Sequence, residues 1–544
     1  MSFYPHTRAL GSQSGIQLNP PRDNTDGFVT QATDQTVAFA GRFSRGRIDV
    51  PFKINRANIR RKLGAPQSVR VSALNEAYVH VYEAVNNGAR EAVISRLSVA
   101  GAINKFAVFN IDVSGVGSFV ASDNAPTGNF VFYLKDMECF NDGVLFEVNA
   151  LKNVDATNTA IATKRITLRI KEPDGTVRYE VTGSLDDGAK DEYGQDDSLV
   201  AKMAAIALSN ITIVCSQTAS IATSAECYGK ASDGSTKLSK NAAPLVLFTE
   251  NGTAYTSDDY DRALLALEKS TLDFGYASSG GSQSVPLISK LAALAMRANR
   301  MMAIDVPGDL SPAAAATWVA QLGITGNLAH LISFYWAPLK TDDPLNGGRA
   351  VIGVSGLQLG YRCGRNAQTN AYGLAPKNFP IAGKDWAINR TGVEQLTNPD
   401  EFQLSDLADA QINPVIFQTY NDGSGFVFFD SLTAAKTNGY RKLISVAEMS
   451  SSLDDMVAKN GKANLQLPMD IAISRTEKWL KSTLAGARST GWLVPSNDPA
   501  LGVQGWAVSV TRNAQRPADR MDVSYGCHYD GVNRATFITQ TISA

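Results

Sequence analysis

Residues 301–312 read Met301-Met302-Ala303-Ile304-Asp305-Val306-Pro307-Gly308-Asp309-Leu310-Ser311-Pro312. Met301 to Val306 is apolar almost throughout, without the alternation of a half-exposed strand, so it predicts a strand buried on both faces. Pro307-Gly308-Asp309 ends it. Ser311 then offers a capping oxygen and Pro312 fits a first helical turn, so a helix follows directly. Leu331 to Trp336 predicts the next strand. Upstream, Leu287, Ile288, Leu291, Leu294, Ala295 and Ala298 share one face of a helix. An earlier helix has Tyr260, Ala263, Leu264 and Leu267 on its apolar face, with Asp258 or Asp259 as its cap. Leu245 to Phe248 reads as a strand before it. Nearer the start, Thr36 to Ala40 is a strand and a short helix runs from about Asn55 to near Gly64. A clearer helix repeats Leu74, Ala77, Tyr78, Val81 and Val85 and stops at Asn86-Asn87-Gly88, before the buried strand Ala92-Val93-Ile94. Alternating strands and helices predict a mainly parallel sheet covered on both faces.

The pattern is interrupted. Phe106 to Val113, Phe130 to Met137, Val144 to Ala150, Ile166 to Ile170 and Tyr179 to Val181 read as successive strands, with one helix near Leu199 to Leu208. The expected fold class is therefore α/β and α+β, multidomain. An α/β core spans 35–97 and 241–345, a β-rich insertion spans 98–240, and an irregular linker rich in Gly, Asn and Pro spans 346–411. A mixed domain spans 412–530. In it, Val415 to Phe417 and Phe426 to Phe429 form a hairpin around Asn421-Asp422-Gly423, helices run over about 446–459 and 469–488, and strands run over Trp506 to Val510 and Met521 to Tyr529. A final strand, Ala535 to Ile542, belongs to a C-terminal arm, 531–544. Residues 1–34 read as an extended N-terminal arm. They carry Pro5, Pro20, Pro21, Gly11, Gly15 and Gly27 among polar residues, and cannot bury enough apolar surface to order themselves. Ile16, Leu18, Phe28 and Val29 are the arm's candidate contact residues, and Phe537, Ile538 and Ile542 those of the other end; both suit strand addition to a partner.

The 544 residues hold 51 Lys+Arg against 52 Asp+Glu, which argues against bulk electrostatic binding of nucleic acid. No apolar run is long enough to span a bilayer, and Met1 to Leu10 lacks the pattern of a signal peptide, so neither membrane insertion nor export is expected. The five cysteines, Cys139, Cys215, Cys227, Cys363 and Cys527, show no Cys-x-x-Cys spacing and read as buried hydrophobes, with inter-subunit disulfides as the alternative. His6, His80, His330 and His528 include no pair at metal-ligand spacing, and His80, off the apolar stripe of its helix, reads as solvated. The acidic loop 186–197 lacks EF-hand spacing and reads as a solvated loop. Asp258-Asp259 and Asp454-Asp455 read as dipole-stabilised pairs at or near helix starts. No phosphate loop and no nucleophile elbow is present. Gly353, Gly356 and Gly360 have the wrong spacing for a dinucleotide fingerprint, and no helix is read after them. No enzyme, cofactor or metal is expected. One surface stands out: in the 469–488 helix, Arg475, Lys478, Lys481 and Arg488 lie beside the apolar stripe Ile473, Leu480, Leu484 and Ala487. They form either a solvated face or a dock for an acidic partner.

Several segments resemble the contractile phage tail sheath family, which is related to type VI secretion and R-type bacteriocin sheaths. Ala38 to Pro51, with Gly41 and Gly46, is similar to its start, although Arg47 stands where the family often has proline. Asn55 to Gly64, Asp258 to Leu264 and Ala303 to Pro307 are similar to its α/β domain. Gly373 to Asn378 with Ile381-Ala382-Gly383, then Ile412-Asn413-Pro414 and Arg441 to Val446, are similar to the approach to and body of its C-terminal domain. The likeness covers about 36–97 and 244–544. It implies stacked hexameric rings around an inner tube, with arms adding strands to neighbouring subunits. It implies contraction, without nucleotide, that drives the tube through a host envelope to deliver a genome. The implied partners are further copies of the chain, the tube protein (faced by the basic helix), and baseplate and terminator or neck proteins. The implied location is the virion tail, assembled in the host cytoplasm, with 98–240 facing outward. The alternatives are a bacteriocin or secretion sheath and, in another class, a carbohydrate-binding virion surface protein whose module is 98–240.

Overall fold

The computed structural model describes residues 33–111, 117–128, 130–150, 164–216, 238–241, 243–250, 254–437 and 439–540. Its centre is an eight-stranded sheet. Glu91–Arg96, Thr36–Gly41, Tyr276–Ser278, Met301–Val306, Ile332–Trp336 and Ile412–Tyr420 lie side by side and parallel. Phe52–Ile54 and Gly423–Phe428 close the two ends as antiparallel strands. The expected buried parallel sheet is thus present. Met301 to Val306 is buried at every position, as the unalternated run predicts. The hairpin Ile412–Phe428 belongs to this sheet and not to a separate body, so the sequence boundary at 412 falls inside the central sheet.

Helices Ser257–Lys269, Val285–Arg297, Pro312–Gln321 and Glu401–Asp409 cover one face of the sheet. Ser311 caps its helix by accepting from the Ala314 amide. The cap of Ser257–Lys269 is Thr256, and Asp259 is its capping-box partner rather than the cap itself. Leu245 to Phe248 does not join the sheet: Phe248–Thr249 pairs with Ile103–Asn104 at the base of the insertion.

The opposite face is covered by two helices, Glu76–Asn86 and Ser355–Asn366. The second lies in the stretch expected to be irregular. Its glycines, read only as a failed fingerprint, form a helix-contact stripe. A Cβ on Gly356 would sit 2.4 Å from the His80 carbonyl oxygen and one on Gly360 3.0 Å from that of Ala84. The two backbones therefore touch. This corrects the reading of His80. The imidazole is fully buried, because its helix is covered on two sides rather than one. Its Nδ1 accepts from the Gly356 amide (3.0 Å), so that nitrogen carries no proton, and Nε2 faces Glu76 (3.1 Å). Asp305, at the end of its strand, accepts from the Val354 and Ser355 amides (both 2.7 Å) and caps the glycine helix from 50 positions away. Ser355, His80 and Asp305 meet, but Ser355 Oγ donates to Asp305 and all three are enclosed.

The insertion is a sandwich of two four-stranded antiparallel sheets sharing one core. Arg45 joins it to the central body through Asp142 (2.6 Å) and Glu172 (2.7 Å). In the acidic loop, Lys190 pairs with Asp196, and among the described residues no acidic cluster is arranged to hold a metal. Cys139, Cys215 and Cys363 are buried and Cys527 is half-buried; burial pushes the Cys139 and Cys215 thiols up to about 12. Cys227 and His6 lie outside the described residues. No helix among them is long and apolar enough to cross a membrane.

The glycine contact makes a paired prediction. Gly356→Ala forces a methyl into backbone and is expected to cost about 1–3 kcal/mol. Gly461→Ala, in a helix with open space around the glycine, is expected to stabilise by about 0.5–1 kcal/mol. Urea unfolding of the two variants against the parent checks both signs.

Candidate subunit-linking site

The C-terminal lobe is built on helices Ile444–Ala463 and Met469–Ser489, which pack through Val446, Met449, Leu453, Leu480, Leu484 and Ala487. On them lies a two-stranded antiparallel ribbon, Trp506–Arg512 with Met521–Cys527. Its inward residues, among them Val508, Val523 and Tyr525, join the same core. Trp506–Arg512 runs beside the second helix. Met521–Cys527 is paired on one side only and forms a wall of an open groove of about 620 Å³. Tyr440, Val446, Ser450, Asp454 and Tyr529 complete the lining. In the groove the Tyr525 hydroxyl donates to Asp454; burial and that carboxylate together push the phenol above its ordinary range. Asp454-Asp455 is not at a helix start. It lies mid-helix, where Asp454 serves the groove and Asp455 pairs with Arg300 (2.9 Å) and Lys459 (2.9 Å).

A strand with a free edge and apolar and aromatic walls can accept a strand from elsewhere. The subunit's own end does not fill it. After Asp530, whose amide donates to the Trp492 carbonyl (3.0 Å), residues 531–540 form no strand. This overturns the expected strand Ala535 to Ile542 for its described part. The Phe-Ile pattern has β-propensity, but among the described residues it pairs with no strand, and a lone strand has nothing to hydrogen-bond. Arg534 pairs with Asp430, and beyond it Phe537 and Ile538 are 96% and 88% exposed. Ile542, and Ile16, Leu18, Phe28 and Val29 at the other end, lie outside the described residues.

Where the N-terminal segment enters the fold, Asp34 is held firmly. Its carboxylate meets Lys377 Nζ (2.8 Å) and its carbonyl accepts from Asn366 Nδ2 (3.0 Å). Lys377 is almost fully buried and also donates to Ser452. Asn366 donates to the Tyr276 hydroxyl (2.7 Å), which donates to Glu448; Arg365 reaches the same carboxylate at 2.6 Å. One buried polar chain thus runs from residue 34 through the sheet and the glycine helix into the C-terminal lobe. Burial alone would raise the Glu448 carboxyl, but Arg365, Arg362, Lys377 and the Tyr276 hydroxyl outweigh it and hold it down to about 2. Sequence reasoning missed this cluster. Its members are scattered from 34 to 452, and the one available signal was Gly373 to Asn378, quoted for its resemblance and not for chemistry.

The basic helix divides. Arg475, Lys478 and Lys481 are exposed on the face away from Leu480 and Leu484. Lys481 pairs with Glu477 (2.7 Å), while Arg475 and Lys478 have no ion-pair partner among the described residues. Arg488 is half-buried and turned toward the Gln504 carbonyl (3.5 Å), apart from the other three.

No protein-family model matches the sequence, and no curated protein matches it. Solved structures do. The chain is similar to a sheath tail protein from Listeria innocua, at 11% identity over 90% of this chain and 94% of that one, with a TM-score of 0.51. It is also similar to a sheath tail protein from Desulfitobacterium hafniense, at 10% identity over 95% and 100% with a TM-score of 0.47, and to the sheath of an extracellular contractile injection system in its contracted state, at 15% identity over 51% and 74% with a TM-score of 0.41. The likeness to the Listeria protein spans nearly the whole of both chains, and the fold is that of a sheath tail protein.

The ion network at the arm's root predicts an acid limb. Because the folded Glu448 carboxyl sits at about 2, below its ordinary 4.5, its contribution is present above pH 4.5 and drains away as pH falls toward 2, on the order of 3 kcal/mol in all. Glu448→Gln leaves Arg365 buried without its counter-charge, at a cost of about 3–5 kcal/mol near neutral pH. It also flattens the pH dependence below 4.5. Denaturant unfolding across pH 2.5–7, a range set to bracket about one carboxylate titration, checks both.

Proposed function

We propose that this chain is a structural subunit of a contractile tail sheath. It polymerises as stacked hexameric rings around an inner tube and contracts to drive that tube through a host envelope during genome delivery. Its partners on this reading are copies of itself, the tube protein, and baseplate and terminator or neck proteins, and its place is the virion tail, assembled in the host cytoplasm. The observation that carries the reading is the sheath fold across 90% of the chain, together with a ribbon that has an open edge and a segment, 535–540, that is exposed at Phe537 and Ile538 and forms no strand among the described residues.

The mechanism follows from those ends. Residues 1–34 of one subunit and the segment after Arg534 of another add strands to the ribbon Trp506–Arg512/Met521–Cys527 of a neighbour. An added strand of about six backbone hydrogen bonds, each worth roughly 0.5–1.5 kcal/mol net, links two subunits by on the order of 3–9 kcal/mol. Such a link keeps copies tethered while their globular faces slide and repack. An extended state held by a barrier stores the energy without nucleotide. The exposed cations Arg475, Lys478 and Lys481 face the tube. The division at 98–240 makes the sandwich an outward-facing module. Its stacked aromatics Phe109, Phe119, Phe132 and Phe146 point into its own core, which favours a structural role over sugar binding.

Deleting residues 1–32, ahead of the Asp34 anchor, is expected to leave a folded chain that forms no tubes by negative-stain microscopy; long striated tubes from the truncated chain would refute strand exchange by this arm. Reversing Arg475, Lys478 and Lys481 to Glu is expected to weaken attachment to the tube while self-assembly persists. Sheaths assembling on tubes at parental yield would remove that helix from the tube interface.

A further inference from the structure

One edge of the central sheet carries uncompensated positive charge, and a helix on one of its faces, near the other edge, carries uncompensated negative charge. At one end the edge strand Phe52–Ile54 runs antiparallel to Glu91–Arg96, with Ile54 opposite Ala92. The chain turns after Ile54, where the Asn58 and Ile59 amides donate to the Asn55 carbonyl, so Arg56 and Arg60 follow the edge strand at the end where Arg90 precedes its neighbour. Lys53 neutralises Glu91 (2.7 Å), which leaves Arg56, Arg90 and, just beyond, Arg60 exposed with no acidic partner among the described residues. At the other end the helix Glu401–Asp409 leads into Ile412–Tyr420, the second strand from the edge. Leu407 is buried, and the outward stripe is Glu401, Phe402, Ser405, Asp406 and Asp409. The three carboxylates of that stripe have no basic partner among the described residues, and Phe402 is 84% exposed between them.

These surfaces are placed to meet. Arg90 immediately precedes its strand and Asp409 stands just ahead of its own, and both strands belong to the parallel set. Arg90 and Asp409 therefore lie at the same, N-terminal end of the strands, separated across the sheet by roughly 24 Å at about 4.8 Å per strand, and the acidic stripe runs back from Asp409 along the helix to Phe402 and Glu401, about 12 Å away at 1.5 Å per residue. A second copy displaced sideways along the sheet sets its acidic stripe against the first copy's arginines. An exposed phenyl ring among carboxylates is costly in water, but its face is a good seat for a guanidinium.

We infer that the Glu401–Asp409 helix of one subunit docks on the Arg56/Arg60/Arg90 sheet edge of the next copy. The carboxylates meet the arginines, and Phe402 packs under a guanidinium plane. The contact is head-to-tail and leaves both surfaces free at the ends of a row, so it propagates into a ring or helix. This interface rests on the self-assembling reading above, but it is independent of the arms.

The test is a charge swap in the full-length chain. Arg56→Glu with Arg60→Glu, and separately Glu401→Lys with Asp406→Lys, are each expected to raise the concentration needed for assembly about tenfold or more, read by sedimentation and electron microscopy. Combining all four substitutions restores opposite charges across the contact and is expected to recover most of that loss. Phe402→Ala alone is expected to weaken assembly by about threefold to tenfold. All the sites are exposed, and circular dichroism melts identify any variant that fails to fold. If the parent assembles and the one-sided variants match it, or if the fourfold variant is no better than the worse of the two, the interface is wrong and the sheath reading stands. If the parent chain stays monomeric under every condition, both are overturned.

Discussion

Glu448 sits out of reach of water with its carboxylate between Arg365 and the Tyr276 hydroxyl. A buried anion of this kind persists only where positive charge and hydrogen bonds surround it, and here its partners come from different parts of the chain. Tyr276 belongs to the sheet, Arg365 to the glycine helix, and Glu448 to the C-terminal lobe. Through Asn366 and Lys377 the same cluster grips Asp34. This one cluster joins sheet, glycine helix, lobe and the segment at Asp34.

On the sheath reading proposed above, that arrangement matters because the subunit would be pulled by its ends. Tension on the segment ahead of Asp34 enters the fold at Lys377 and Asn366 and reaches the sheet and the C-terminal lobe together, instead of peeling one from the other. The opposite end behaves differently. Arg534 makes one ion pair with Asp430, and beyond it the chain lies exposed. The N-terminal attachment is rigid where it enters the body, and the C-terminal one is free to find a partner. A strand-exchange link between copies needs both properties.

The glycine helix shows how far a sequence can be read and where reading fails. Gly356 and Gly360 are conspicuous in the sequence, yet their purpose depends on a helix nearly three hundred residues earlier that they allow to approach backbone to backbone. His80 was misplaced for the same reason. Helical periodicity reveals one buried face, and a helix sandwiched between a sheet and a second helix has two. The terminal strand failed in the opposite sense. Its β-propensity was legible, but a strand exists only beside an edge, and among the described residues it pairs with none.

What the sequence determined by itself was local and periodic. It carried the unalternated strands of the parallel sheet, the Ser311 cap, the succession of insertion strands and the long helices of the C-terminal lobe. These follow from side-chain pattern over a few turns or a few residues, and such patterns survive in one dimension. Only the tertiary structure decided the rest: that Ile412–Tyr420 joins the central sheet, that Asp305 caps a helix 50 residues downstream, that half-exposed Asp34 meets Lys377 and Glu448 in one cluster, and that a basic edge and an acidic helix stand on opposite sides of one sheet. Each of these is a meeting of residues remote in sequence. Burial and Coulomb energies depend on distance in space, and chain order does not record that distance.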